Sequence, residues 1–365
     1  MSNGPGTDIG RRAAGRRGPF ATPARAAEIG LLGCLIALAA TGAISRQAAP
    51  DRGAYRIVDS IPAPDALWDL AAINSGRHRL YVGRVGGVLA LDLKMRSASP
   101  AFVPSVFVHG VLPLGDSGRA VATNGLANTA MIFDEATGRV LSTIPTGKDP
   151  DAMVVEPRSG LVVTTNKQGA DLTLIDPVAG VAVGSIPLGG EPDFTAVDGR
   201  GLLYVNINSK NEIAVVDVAA RKILSRVALP GCEGPTGLAY DAADRLLLTV
   251  CDNGAVLFLA ADTGRVLKSF QVGAGPDAAL FDAARHRAFV PSGSDGQLTI
   301  FSVYGRNRIS VSQRLATQVG ARLAALDSVT GRLYLPTAQI IPPKAPGQMK
   351  SLVPGTFRIL VVAPN

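Results

Sequence analysis

Short runs of apolar and β-branched residues recur along this chain, each bounded by turn residues. Leu161-Val-Val-Thr-Thr-Asn166, Leu203-Tyr-Val-Asn-Ile-Asn208, Leu246-Leu-Leu-Thr-Val250 and Ala288-Phe-Val-Pro291 each read as a strand. About ten residues before each stands a Pro-Asp or Pro-Thr pair: Pro150-Asp151, Pro192-Asp193, Pro235-Thr236 and Pro276-Asp277. Their prolines lie 42, 43 and 41 residues apart. A second strand then ends near Asp176, Asp217, Ala260 and Ser302. A fixed period of this length, built from short strands, predicts a propeller or solenoid, with function in the loops at the strand ends.

The phase extends both ways. Trp68-Asp69 falls in place before Tyr81, Val108-His109-Gly110 before Ala120-Val-Ala-Thr-Asn-Gly125, and Gly320-Ala321-Arg322 before Leu333-Tyr-Leu-Pro336. Strand ends at Asp92, Asp134, Asp176, Asp217, Ala260, Ser302 and Ala363 are separated by 42, 42, 41, 43, 42 and 61 residues. The long last step holds a Pro/Gly-rich insertion, Gln339 to Thr356, which reads as an irregular loop. The periodic region starts with the strand that ends a repeat, Tyr55-Arg-Ile-Val-Asp-Ser-Ile61, and stops at the strand before it, Phe357-Arg-Ile-Leu-Val-Val362. The first can therefore complete the last blade and pair two otherwise exposed edges. The expected fold is an all-β, seven-bladed β-propeller over residues 51–365, with four-stranded blades and the N-terminal strand closing the last one.

Residues 1–50 have a different character. Arg11, Arg12, Arg16, Arg17 and Arg25 precede a largely apolar stretch from Ile29 to Ile44, followed by small residues. This is the pattern of an export signal, and its length is near the lower limit for a membrane anchor. The expected location is periplasmic or exported, with inner-membrane anchoring as the alternative and the membrane met only through this segment. The same residues account for most of the charge: the chain is +7 overall, but residues 1–50 contribute +4. The repeats are thus nearly balanced and aromatics are 5%, which argues against the clustered basic, stacking surface that nucleic-acid binding needs. Cys232 and Cys251 fall in one repeat, at the same end of an antiparallel strand pair. Export would permit a disulfide between them; two separate thiols are the other possibility.

The order of the repeat words, with non-repeating ones such as Trp-Asp and His-Gly among them, is itself distinctive. Trp68-Asp-Leu with Arg79-Leu-Tyr-Val82, Val108-His-Gly-Val111 with Ala122-Thr-Asn-Gly125, and Cys232-Glu-Gly-Pro-Thr-Gly-Leu-Ala239 stand in a fixed order, continued by Gly320-Ala-Arg322, Leu335-Pro-Thr-Ala338 and Val353-Pro-Gly-Thr-Phe-Arg-Ile-Leu-Val-Val362. In these the chain resembles the bacterial YncE-like family of YVTN-repeat β-propellers, from about residue 55 to 362. The resemblance implies an exported seven-bladed propeller and says little about activity. Some relatives are linked to DNA binding, and related propellers serve as lactonases, lyases, heme-bearing domains and quinoprotein subunits, so fold cannot stand in for function.

No metalloprotease, nucleophile-elbow, phosphate-loop, EF-hand or heme-attachment motif is present in the sequence. The sequence leaves cofactor and metal open. His78 and His286 each fall in an Arg-His-Arg turn at the end opposite the Pro-Asp loops. If the copies superpose, one mouth of the channel collects Asp69, His109, Asp151, Asp193, Thr236, Asp277 and Arg322, with Trp68 beside them. Such a rim suits a polar ligand, or a hard cation such as calcium, although Asp after Pro also caps turns unaided. Asn124, Asn166, Asn208 and Asn253 follow the returning strands near the same rim. Trp68 either stacks on a ligand or packs against the next blade. The functional reading is a non-catalytic, monomeric scaffold binding a protein or a small polar ligand. A metal-assisted lactonase or lyase using the carboxylates and His109 is the alternative, and DNA binding a further one.

Overall fold

The computed structural model describes residues 53–342 and 351–365. The segment read as an export signal or anchor lies outside the described residues, as does the middle of the late insertion. Single-turn 3-10 helices aside, every described element is a strand. These strands form five four-stranded sheets, one six-stranded sheet and a two-stranded ribbon among the described residues. The fold is an all-β propeller with four-stranded blades.

A representative blade runs Pro192–Val197, Leu202–Ile207, Glu212–Asp217 and Lys222–Ala228, each strand antiparallel to the next. Its middle strands are covered on both faces by neighbouring blades, so they carry near-continuous apolar runs instead of alternation. Leu246–Cys251 and Ala255–Ala260 are buried at every position. The outermost strand is mostly exposed, as in Lys222–Ala228. The core is the set of layers between blades: Leu203, Val205 and Val216 pack against Val163, Leu172 and Leu174 of the preceding sheet. Each such side chain contributes roughly 1.5–3 kcal/mol on full burial.

The first two repeats were expected as separate sheets. They are instead continuous in the six-stranded sheet. Arg79–Asp92 bends at Gly86 and Gly87, whose φ angles of 89° and 124° suit only glycine. The bend brings the Leu93 N–H to the His78 carbonyl at 2.9 Å, so the segment folds back on itself as two strands. Ser97–Pro113 then serves both repeats: residues 97–107 pair with the returning half, and residues 108–113 pair with Arg119–Asn124.

The ends of the propeller meet as the sequence predicts. Tyr55–Pro62 pairs with Arg358–Pro364, with Ile61 opposite Ile359 and Tyr55 opposite Pro364. The insertion is not wholly irregular: Ile340–Ile341 pairs with Ser351–Leu352, because two apolar β-branched residues face a second extended stretch across its base.

One irregularity repeats around the ring. In five of the innermost strands the register shifts two residues in: between Trp68 and Ala71, Val108 and Val111, Pro150 and Met153, Pro192 and Thr195, and Pro235 and Leu238. The residue after each first partner is thereby lifted off the ladder, as bulges do when they re-aim a side chain. Those residues are Asp69, His109, Asp151, Asp193 and Thr236.

Candidate functional site

The bulges place charged side chains at one mouth of the channel. His109 is the hub. Its Nδ1 lies 2.6 Å from Asp69 and 3.8 Å from Asp151, and its Nε2 lies 3.2 Å from Asp149. Arg322 reaches Asp69 at 3.3 Å and also pairs with Asp277. Lys167 pairs with Asp193 at 3.3 Å. The predicted rim residues Asp69, His109, Asp151, Asp277 and Arg322 thus occupy one linked network, and the Asp193–Lys167 pair adds its charges to it.

The backbone fixes this network from below. The Gly110 N–H donates to the Thr123 hydroxyl, and that hydroxyl donates to the Asp151 carbonyl at 2.8 Å. The relay ties the His109 bulge to the next blade. Phe107 packs edge-on against the His109 ring with centroids 4.5 Å apart. Gly125 leaves room for it: a Cβ there would stand 2.5 Å from His109 Nε2 and 2.7 Å from Asp149. Gly293 has the same relation to Arg322, whose Cβ would lie 2.5 Å away. Below the mouth the channel narrows to a cavity of about 190 Å³ with Ala71, Gly110, Ala152, Ala279 and Ala324 among its walls. Charged groups therefore sit over an apolar neck, where electrostatic interactions are weakly screened.

Two predicted residues do other work. Trp68 is buried in the layer between the last and first repeats, edge-on to Phe357 at 5.2 Å, and so faces away from the rim. Its large ring gains more from that apolar layer than from a wet mouth. Thr236 is buried and its hydroxyl contacts the Pro276 carbonyl of the next blade at 3.4 Å. Cys232 and Cys251 form a disulfide. The bond is set up by the pairing of Pro235 with Cys251, which brings the loop before that strand alongside. Of the asparagines, Asn166 donates to Asp171 and Thr173, and Asn253 donates to the Gly231 carbonyl. These are structural contacts within their own blades. His78 and His286 occupy left-handed turn positions with φ of 51° and 53°, as their place in the repeat implies.

Lys167, Asp149 and Phe107 are site residues that the repeat reading missed. Lys167 follows the strand ending at Asn166, the position that Gly125 holds one repeat earlier. Asp149 and Phe107 each stand two residues before a rim residue. The signal for all three was a break in the repeat at a phase flanking the rim.

Burial would lower the His109 pKa, but the Asp69 hydrogen bond and the charges of Asp151, Asp69 and Asp149 outweigh it and push it up to about 9. Both ring nitrogens face carboxylates, which requires both to donate and hence the cationic imidazolium. Burial would also raise Asp69; His109 and Arg322 outweigh it and hold this carboxyl below its ordinary value. For Asp151, burial and the charges of Asp69 and Asp193 win, pushing it up to about 7 against the pull of His109 and Lys167. Asp193 and Asp252 are raised chiefly by burial, and Lys167 is raised because Asp193 and Asp151 overcome its desolvation. Asp69, His109 and Asp151 also bring three ligand atoms within 4.8 Å of one another, close enough to share a metal ion once His109 gives up a ring proton.

No family model matches this chain, and no curated protein matches its sequence. Many solved structures share its fold. One is a chain of the crystal structure of the mitotic checkpoint complex, 14% identical, covering 91% of this chain and 99% of that one with a TM-score of 0.69. Another is a chain of Kuenenia stuttgartiensis hydrazine synthase, 13% identical, covering 75% of this chain and 92% of that one with a TM-score of 0.64. At these identities the likeness establishes the β-propeller and nothing about ligand or reaction.

Proposed function

We propose that this chain is an exported seven-bladed propeller, kin to the YVTN-repeat proteins, that binds a small, polar, positively charged ligand at the charged mouth of its channel. One observation carries the reading. Around the mouth, the six carboxylates Asp69, Asp149, Asp151, Asp193, Asp252 and Asp277 are met by three paired cations among the described residues, His109, Lys167 and Arg322. Gathered carboxylates repel one another, and the raised Asp151 and Asp193 register that repulsion and burial together. A cationic ligand seated between them relieves it. The count of seven treats the six-stranded sheet as two blades sharing Ser97–Pro113, which matches the seven copies in the sequence. The basic and apolar N-terminal segment supports export. A propeller scaffold also suits protein partnering, and the chain similar to it in the mitotic checkpoint complex belongs to a protein assembly.

The test is calorimetric titration of the purified propeller with calcium, zinc and a short diamine. Binding of at least one probe is expected, with loss of roughly tenfold or more in affinity in Asp151→Asn. Unchanged binding in Asp151→Asn and Asp193→Asn, with both variants folded, overturns the site. The close approach of donors from Asp69, His109 and Asp151 favours a second reading, a metal-assisted hydrolase. Lactone hydrolysis that zinc or calcium supports and a chelator abolishes would select it.

A further inference from the structure

A second pocket lies at the opposite end from the charged mouth, across the seam where the propeller closes. We propose that it binds a small organic anion with an apolar body. One wall comes from the last sheet, through Asp59, Ile61, Arg332, Tyr334 and Val361. The other comes from the sheet that follows around the ring, through Ile73, His78, Leu93 and Lys94. Its volume is about 380 Å³, within the range of roughly 300–1,000 Å³ typical of small-molecule sites.

The chemistry of the pocket is one-sided. Its two carboxylates are already committed. Asp327 accepts from the Ser75 and Thr330 hydroxyls, each at 2.6 Å, and from the Val329 N–H. Asp59 pairs with Arg96 and accepts from the Ser60 N–H. Lys94 and Arg332 line the same space, and neither has a carboxylate within ion-pair distance among the described residues. The polar groups left for a ligand are the Lys94 ammonium, the Arg332 guanidinium, which stands beside the Tyr334 hydroxyl and within the field of Asp59, and the His78 ring. The first two are cations that donate and cannot accept. Ile61, Ile73, Leu93 and Val361 supply apolar surface between them. A carboxylate on a short hydrocarbon satisfies both halves, whereas an inorganic anion leaves the apolar walls unfilled and a neutral alcohol leaves the cations unpaired.

The pocket also has a built-in readout. Val58, Asp59 and Ile61 belong to the closing strand Tyr55–Pro62, so a bound ligand bridges that strand to the neighbouring sheet. A ligand that binds only the closed, native form raises the melting temperature. The experiment is a thermal-shift titration of the full propeller with hexanoate, alongside hexan-1-ol, hexylamine and sulfate, followed by calorimetry. Hexanoate is expected to raise the melting temperature saturably and the other three are not. Lys94→Ala and Arg332→Ala, made singly and together, remove exposed side chains. Each is expected to weaken hexanoate binding by roughly tenfold, the scale of one charge-assisted hydrogen bond. The proposal is overturned if hexanoate gives no saturable response, if hexan-1-ol or sulfate matches it, or if a folded single variant binds hexanoate unchanged. Asp151→Asn is the control at the other mouth. Loss of hexanoate binding in that variant would also overturn the assignment.

Discussion

His109 has carboxylates beside both ring nitrogens, so geometry alone makes it a cation. The consequence for stability has a definite sign. A histidine raised to about 9 from 6.5 contributes stability that is full below the lower value and is lost as pH climbs through the upper one. Asp151, raised to about 7 from 3.8, acts in the same direction over a lower window, since the fold disfavours its charged form and that cost grows as pH climbs from 3.8 to about 7. Asp69 is lowered and acts oppositely, losing its contribution only as pH falls through its depressed value. The propeller should therefore lose stability from near neutral pH up to about 9, with His109→Gln flattening the upper part of that fall. Urea melts of both proteins across the window check this; parallel curves would contradict it. Gly125→Ala probes the same residue sterically. Its new Cβ would collide with the His109 ring and Asp149, so a cost of about 1–3 kcal/mol is expected. Weakened binding at the mouth should accompany it, measured by denaturant melts and titration.

Two devices govern the site at the level of elements. One is the bulge repeated in five innermost strands, which aims Asp69, His109, Asp151 and Asp193 at the channel. The other is the Cys232–Cys251 disulfide, which ties the loop before Pro235–Asp241 to the end of Leu246–Cys251. It closes a loop with a sequence separation of 19, for which chain-entropy arguments give about 3 kcal/mol of stabilisation. The double variant Cys232→Ser, Cys251→Ser should be less stable by about that amount and insensitive to reductant. The parent should fall to the same level when reduced. Equal melts for reduced and oxidised parent would show that the bond adds nothing. Gly87 tests the bend inside Arg79–Asp92. A Cβ there would stand 2.1 Å from the Val103 carbonyl at a φ of 124°, so Gly87→Ala should cost about 2 kcal/mol or more by the same melts.

The whole molecule depends on its closing strand. Tyr55–Pro62 is the outer strand of the sheet that also holds Arg358–Pro364, and Tyr55 is buried against Phe289 of the preceding sheet at 5.0 Å between centroids. Removing residues 55–61 would expose the edge of Arg358–Pro364, an unpaired template for another chain. The expected result is aggregation or a much lower melting temperature, read by light scattering and calorimetry. A truncated protein that stays monomeric with an unchanged melt would show that closure is dispensable. The two proposed sites lie at opposite ends of the channel axis, so substitutions in one should leave the other unaffected. Distant sites without shared partners combine additively.

The repeat period by itself determined the strands, the antiparallel order within a blade and the pairing of the chain ends. These follow from local patterning and from the phase at which the periodic region starts and stops. The phase also put Asp69, His109, Asp151, Asp193, Asp277 and Arg322 at equivalent positions, which is why they share a mouth. Tertiary structure decided the rest. Lys167 and Asp149 join the site because a neighbouring blade stands next to the Asp193 and His109 bulges, a proximity that no spacing along the chain encodes. Trp68 leaves the site because its strand borders the seam, where Phe357 arrives from the far end of the sequence. The fusion of the first two sheets depends on a glycine bend inside one repeat and a shared strand between two. The charge states of His109 and Asp151 were likewise invisible in the sequence, since carboxylates brought in from other blades overcome burial at His109 and act together with it at Asp151.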